Sequence, residues 1–345
     1  MTALALPAGR DVARRRRLAW ALLAVVLLGL AAGLSTGAAG FSPHALWTDL
    51  QGGDAGLVIG QIRAPRTVGA ALVGALLGLS GAIAQGLFRN PLADPYLLGC
   101  AAGAGLGVVL ALAAATLGGA AIGLVPLAWI ERIGLVAAAF VGALVGVGMT
   151  LTIASGAVQT TRLLLAGVVV GVLLGAASDL VTVISPDALR GKQAFMLGST
   201  SFLGWSAIAM LGGGLAVLVA LARRHARALD ALTLGEDSAA SLGLHPGRVR
   251  LVLVVMMSLS TAIAVSQAGL VAFVGLVAPH LVRRHAPGPH RWLLLASAGM
   301  GAALLLVADV VSRALIAPQE LPVGVVTAVV GGGYLFWLLK RGGVR

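Results

Sequence analysis

Charge is scarce in this 345-residue chain: only 10% of its residues are Asp, Glu, Lys or Arg, and aromatic residues make up 4%. So little polar surface cannot coat a water-soluble globule, and the 59% apolar content and mean hydropathy of +1.00 point the same way. Cysteine occurs once, at Cys100. That excludes an intramolecular disulfide and a cysteine zinc cluster, and nothing calls for an oxidising compartment. Nucleotide chemistry is missing too. Neither G-x-x-x-x-G-K-[ST] nor G-x-G-x-x-G after a strand occurs, so the chain has no phosphate loop with which to hydrolyse ATP itself. H-E-x-x-H and metal-spaced His/Cys clusters are absent, and the six histidines sit mostly in loops beside arginine.

What the chain has instead is apolar runs of about twenty residues, the length a helix needs to cross about 30 Å of hydrocarbon. Ten crossings are expected, near Leu18–Ala39, Ala64–Gln85, Tyr96–Leu117, Ile133–Ala154, Leu163–Ile184, Phe202–Ala222, Leu251–Ala268, Leu270–Val282, Trp292–Val311 and Pro322–Leu339. The eighth is short and carries Pro279, which blurs its boundary with the seventh. Gly118–Trp129, apolar but broken by glycine and Pro126, is expected to lie at the interface. The Arg14–Arg17 run before the first crossing is like the start of a secretory signal. The apolar stretch that follows is too long for a signal core and reads as an uncleaved first helix.

Cation placement is an independent check, because cytoplasmic loops collect Lys and Arg. With the N-terminus inside, all but six of the 24 cations fall on inner segments, the six being Arg63, Arg66, Arg132, Arg190, Lys192 and Arg313. The bias favours an even number of crossings with both termini cytoplasmic. A basic inner rim beside anionic membrane lipid then accounts for the net charge of +12 without nucleic acid. The glycines are patterned as well: Gly74/Gly78, Gly103/Gly107, Gly142/Gly146 and Gly167/Gly171/Gly175 each line one helix face, where two backbones approach closely in lipid. Two acids fall at membrane depth, where an unpaired charge is costly. Asp309 has Arg313 four residues on, placed for an ion pair on one helix face. Asp179 has no partner in its own helix, so it either bonds a neighbouring Ser or Thr, meets water at the outer end, or faces a substrate path.

Between Arg223 and Arg250 the chain turns soluble in character: RRHARALDALTLGEDSAASLGLHPGRVR. An apolar set (Leu229, Leu232, Leu234, Leu242) among charges and small polar residues, too short for a domain, reads as a short amphipathic helix pair that docks into a partner. A membrane protein driven by a separate soluble motor needs such a part.

The stretch Gln61–Gly99, QIRAPRTVGAALVGALLGLSGAIAQGLFRNPLADPYLLG, closely resembles the R-x-P-R…SGA-x-x-Q…NPLA-x-P-x-x-LG signature of the FecCD-like permeases, found in bacterial ABC importers of siderophores, haem and vitamin B12. The likeness continues in order through TRLLLAG (Thr161–Gly167), LGEDSAASLGL (Leu234–Leu244), GLVAFVGLVAPHLVR (Gly269–Arg283) and ADVVSR…ELPVGVVTAVVGG (Ala308–Gly332).

The resemblance implies an all-α, polytopic inner-membrane domain over residues 1–345 with about ten transmembrane helices, the type II ABC importer permease fold. It implies a homodimer that carries cargo along its interface. Two copies of a cytoplasmic ATPase, which hold the ATP and Mg, and a periplasmic binding protein would complete the assembly, while this chain itself takes no cofactor or metal and has no catalytic residue. The coupling element corresponds to about 229–245, with Leu234, Gly235, Glu236, Ala239, Leu242 and Gly243 at its centre. Asn90, Leu92, Thr160 and Thr161 map to the cytoplasmic gate. Short polar side chains suit a gate, closing by hydrogen bonds without stripping a charge of water; Asn90-Pro91 and Asp94-Pro95 are equally turn chemistry. Arg63, the first of R-x-P-R, and Arg313, the last of ADVVSR, correspond to positions that receive acidic residues of the binding protein, with Arg66 beside them. A guanidinium fork pairs bidentately with carboxylates, whereas lipid-headgroup anchoring is the plainer role. The implied cargo is an iron–siderophore or haem, with vitamin B12 as the alternative. A secondary transporter would place ions at intramembrane charges, for which only Asp179 offers itself, and a membrane-embedded enzyme would need an acid–base or metal constellation that the sequence lacks.

Overall fold

The computed structural model describes residues 8–37, 40–41, 55–118, 127–155 and 159–341. Its helices, in chain order, are α1 (Ala8–Ser35), α2 (Ala64–Leu87), α3 (Cys100–Gly118), α4 (Leu127–Ile153), α5 (Thr160–Ile184), α6 (Pro186–Leu197), α7 (Trp205–Leu234), α8 (Glu236–Ser241), α9 (Pro246–Ala268), α10 (Val274–His285), α11 (His290–Ala314) and α12 (Val323–Lys340). A helical turn at Ala55–Val58 and a π-turn at Ile59–Arg63 lead into α2. The only strand pairing among the described residues is a two-residue one, Thr36 with Phe41 and Gly37 with Gly40. Each of the ten expected crossings overlaps one helix, and eight stretches are long and apolar enough to span a membrane. Most of the expected interfacial stretch Gly118–Trp129 lies outside the described residues; its last three residues open α4.

The two crossings below full length are α3, whose apolar part is Cys100–Thr116, and α10, with 12 residues. Both begin inside the helix layer because the chain before each folds back. Ahead of α3, a 3-10 turn, Pro95–Leu98, tucks beside α2: the Pro95 ring abuts Gly275 of α10, and Thr150 of α4 donates to the Leu98 carbonyl at 2.9 Å. Ahead of α10, the backbone from Gly269 to Phe273 descends non-helically, so the eighth crossing begins at Val274 and not at Leu270. Irregular backbone at membrane depth requires protein partners. Leu270 N donates to the Phe195 carbonyl, and Tyr96 Oη donates to the Val271 carbonyl at 3.1 Å.

Helix α2 is the hub, buried along nearly its whole length. At Gly74 and Gly78 it meets the α11 backbone so closely that an added Cβ would sit 2.2 Å from the Gly301 oxygen or 2.1 Å from the Ser297 oxygen. The expected small-residue faces Gly103/Gly107 and Gly142/Gly146 form a second seam, between α3 and α4. The α5 face behaves differently. Only Gly167 is packed, against the Leu97 carbonyl, while Gly171 and Gly175 look onto open space beside exposed Val168 and Val172. Hydroxyls add glue between α2 and α9: Ser80 Oγ lies 2.6 Å from Thr261 Oγ1, and Ser260 donates to the Leu76 carbonyl.

Two further elements depart from the sequence reading. Helix α6 was not expected; it is too short and too polar to register as a crossing, although Ser185-Pro186-Asp187 is a helix-start pattern. The soluble-looking segment is also not a free helix pair. Helix α7 runs on unbroken to Leu234, and Leu229 and Leu232 are buried in the chain's own core.

Candidate functional site

The helix ends gather at two faces. One collects the N-terminal end of α1, the C-terminal ends of α2, α7 and α10, and the N-terminal ends of α9 and α11. Arg15 bonds the Pro287 carbonyl there, Glu236 pairs with Arg250, and Asp230 pairs with His290. This is the arginine-rich face, and it holds the segment around α8.

Gly235, at φ +127°, ends α7 in a conformation that L side chains rarely adopt. Helix α8 then makes little more than one turn and closes in a Schellman motif: Gly243, at φ +78°, donates to the Ala240 carbonyl and Leu244 N to the Ala239 carbonyl. Ala239 is fully buried and anchors the turn, and Glu236 is held by the buried Arg250. Leu234 and Leu242 project outward, 74% and 66% exposed. The apolar set thus divides, with Leu229 and Leu232 serving the fold and Leu234 and Leu242 left for contact.

The gate residues lie close by. Asn90 is exposed and its Oδ1 accepts from Leu92 N at 2.9 Å, an Asx turn, so the turn chemistry is present. Thr160 and Thr161 open α5. Thr160 shares a cavity of about 400 Å³ with Phe88, Arg89, Glu236 and Arg250; Asn90 borders a neighbouring one with Gln85, Thr233 and Arg283. Gate and α8 residues are therefore adjacent, although they are far apart in sequence. In the same loop, burial pushes the Asp94 carboxyl up to about 6, against the Tyr96 N–H that holds it down.

At the opposite face four charges close on one another. Asp309, with no exposed surface, bonds Arg313, Arg66 Nε at 3.2 Å and Thr200 Oγ1 at 2.5 Å. Arg66 also grips Glu320 with its Nη1 at 2.9 and 2.8 Å from the two carboxylate oxygens. Arg313 donates to the Gly33 and Thr36 carbonyls at the end of α1. Two guanidinium groups meet two carboxylates, Asp309 sealed and Glu320 open to solvent, so the cluster as a whole is balanced. The expected Asp309–Arg313 pair is present. The expected rim role fits Arg66 and Arg313 poorly, since both are buried and facing their own acids. Arg63 is partly exposed and bonds the Leu34 carbonyl at 3.3 Å. Asp179 has a partner that its own helix did not show: Lys192 of α6, at 2.5 Å, with the carboxylate largely exposed.

A family model, the FecCD transport family, matches residues 22–341. The chain belongs to the FecCD family. It is 37% identical to the hemin transport system permease protein HmuU of Yersinia pestis over 332 residues, 95% of this chain and 96% of that protein. The vitamin B12 import system permease protein BtuC of Pectobacterium atrosepticum is 37% identical over 329 residues, 95% of each. A solved structure of a metal-chelate type ABC transporter in an inward-facing conformation superposes with a TM-score of 0.81 over 94% of this chain and 99% of that one; at 24% identity, this is a likeness of fold.

This FecCD-family permease also shows why two of its motifs are spaced as they are. Pro279 has no N–H, so the Gly275 carbonyl loses its helical partner. That oxygen lies against Gly81 of α2, where a Cβ would fall 1.6 Å away. One turn on, Gln85 Nε2 donates to the Leu276 carbonyl at 3.0 Å, and Arg283 donates to Gln85 Oε1. SGA-x-x-Q and GLVAPHLVR are the two halves of one seam between α2 and α10. Sequence reasoning missed this pairing, and also Asp230–His290, for which the one signal was an acid inside a basic stretch.

Proposed function

We propose that this permease is the membrane subunit of an importer that moves a bulky metal chelate from periplasm to cytoplasm, an iron–siderophore or haem first and vitamin B12 second. The observation that carries this reading is the α8 segment: two exposed leucines flank Glu236 and Asp237 on a rigidly capped turn, in a chain without nucleotide chemistry of its own. Such a surface fits a groove on a separate ATPase, two copies of which would supply the energy. The arginine-rich face is then cytoplasmic, with both termini inside and the chain in the inner membrane. The relatives named for hemin and vitamin B12 support the cargo class. The open glycine face of α5 supports pairing with a second copy, which would set Asp179 and Lys192 beside a passage between the subunits. On the outer face Arg63 receives the binding protein, while Arg66 and Arg313 shape the rim from within.

Reconstitution with a cognate ATPase and binding protein, followed by a screen of siderophores, haem and cobalamin for ligand-dependent ATP hydrolysis, tests the proposal. Stimulation by one class names the cargo. Transport driven by an ion gradient without the ATPase would overturn it. Arg63→Glu should slow docking of the binding protein severalfold at low salt, with less effect at high salt.

A further inference from the structure

The arginine-rich end of α11 is held by a contact outside every motif already described. His290 opens α11, so its backbone N–H has no acceptor within the helix. Asp230, on the last turns of α7, provides one: a single carboxylate oxygen accepts from His290 N at 3.0 Å and from His290 Nδ1 at 2.6 Å. An ionised carboxylate offers only lone pairs, which requires that Nδ1 carry the hydrogen. His290 is buried, and its Nε2 edge lies against Gly86 of α2, where an added Cβ would come within 2.8 Å. Leu229, fully buried, packs against the same side of that glycine. One carboxylate thus ties together the end of α7, the start of α11 and the end of α2.

Its place along the chain gives this knot a direction. Helix α7 is continuous from Asp230 to the Gly235 break, and α8 packs back on α7, so a displacement of α8 that carries the end of α7 carries Asp230 with it. Beyond His290, α11 is joined to α2 backbone against backbone at Gly74, Gly78 and Gly301, and it ends in Asp309 and Arg313 of the opposite-face cluster. Close-packed backbones without flexible side chains between them move together.

We propose that Asp230 is a positioning residue that transmits displacement of the α8 segment to the α2–α11 pair, and through that pair to the Arg66–Asp309–Arg313 cluster at the far face. The inference rests on the reading that a separate ATPase docks on that segment. Because Cys100 is buried, a Cys100→Ala, Leu315→Cys chain takes one environment-sensitive fluorophore just beyond the far end of α11, where Leu315 is exposed. The reconstituted permease–ATPase complex is followed on adding ATP, with the signal normalised to attached ATPase. The parent should respond. Asp230→Ala removes both bonds and should cut the amplitude at least about tenfold, the factor that matches loss of even one charge-assisted hydrogen bond. Asp230→Asn, whose amide oxygen still accepts from both N–H groups, should keep more than half. Full amplitude in Asp230→Ala overturns the inference, as does a lowered melting temperature with unchanged amplitude per folded complex. Should Asp230→Ala fail to fold, Asp230→Asn and His290→Gln decide on the same criteria: intermediate and strongly reduced amplitudes respectively support the relay, and parental amplitude in both overturns it. No ATPase attachment in the parent overturns the importer reading together with this inference; a responsive parent with a responsive Asp230→Ala sinks this inference alone.

Discussion

The two faces of the permease handle charge in opposite ways. At the far face Arg66, Arg313, Asp309 and Glu320 neutralise one another, and Asp309 has no contact with solvent. At the arginine-rich face two acids are each held by one partner and keep part of themselves outside: Glu236 bonds the Arg250 guanidinium and Asp230 bonds the His290 imidazole, both carboxylates remaining partly exposed. A balanced cluster built around a sealed carboxylate fixes helix ends, because removing Asp309 strands Arg313 in low dielectric. A half-open pair leaves a charge and a neighbouring apolar surface available to another molecule. Charge at a membrane face therefore says little about function until its partners are known.

Breaking the closed cluster should have the largest effect. Asp309→Ala strands Arg313, leaves Arg66 with Glu320 alone and should cost about 3–5 kcal/mol, read as loss of the monodisperse peak or a large fall in melting temperature in detergent; Asp309→Asn should cost less. A near-parental melting temperature for Asp309→Ala would remove the contrast between the faces.

The next effect depends on pH and probes the loop after α2. Burial raises the Asp94 carboxyl from its ordinary 3.8 to about 6, so the folded state takes up its proton at higher pH than the unfolded chain does. Stability from this group therefore increases as pH falls from 7.5 through 6 toward 4. Melting temperature should rise by a few degrees between pH 7.5 and pH 5. Asp94→Asn, which keeps an acceptor for Tyr96 N, should be more stable than the parent at pH 7.5 and lose this component of the pH dependence.

At the half-open face a smaller cost is expected. Gly243→Ala meets no atoms within 4 Å but must hold φ +78°, a strain of about 1–2 kcal/mol. The substitution should loosen the α8 cap and weaken co-purification of the proposed ATPase partner while the melting temperature changes little. The smallest change should come from Asp179→Asn, because an exposed pair such as Asp179–Lys192 contributes about 0.2–1 kcal/mol. Its melting temperature should stay within about a degree or two, and any change in transport rate per folded permease would then support the proposed place of Asp179 beside a passage.

Much of this protein was legible along the chain. Solvation in lipid is a local demand, met by apolar length and by arginine at one side, so the membrane class, the packed glycine seams and a helix overlapping each of the ten expected crossings followed from residues taken in order. The Asp309–Arg313 pair was legible for the same reason, both partners being one helical turn apart. Family membership came from long motifs in sequence order. Only the tertiary structure decided which helices end short, because the fold-backs at Pro95–Leu98 and Gly269–Phe273 are stabilised by hydrogen bonds to distant carbonyls and by the Gly81–Gly275 contact. It also decided the state of each charge. Lys192 reaches Asp179 from another helix, Glu320 takes Arg66 across 254 positions, and Asp230 finds His290 across 60. Helix periodicity reports which residues share a face; it does not report which face of another helix comes to meet it, because that depends on the packing of the whole layer.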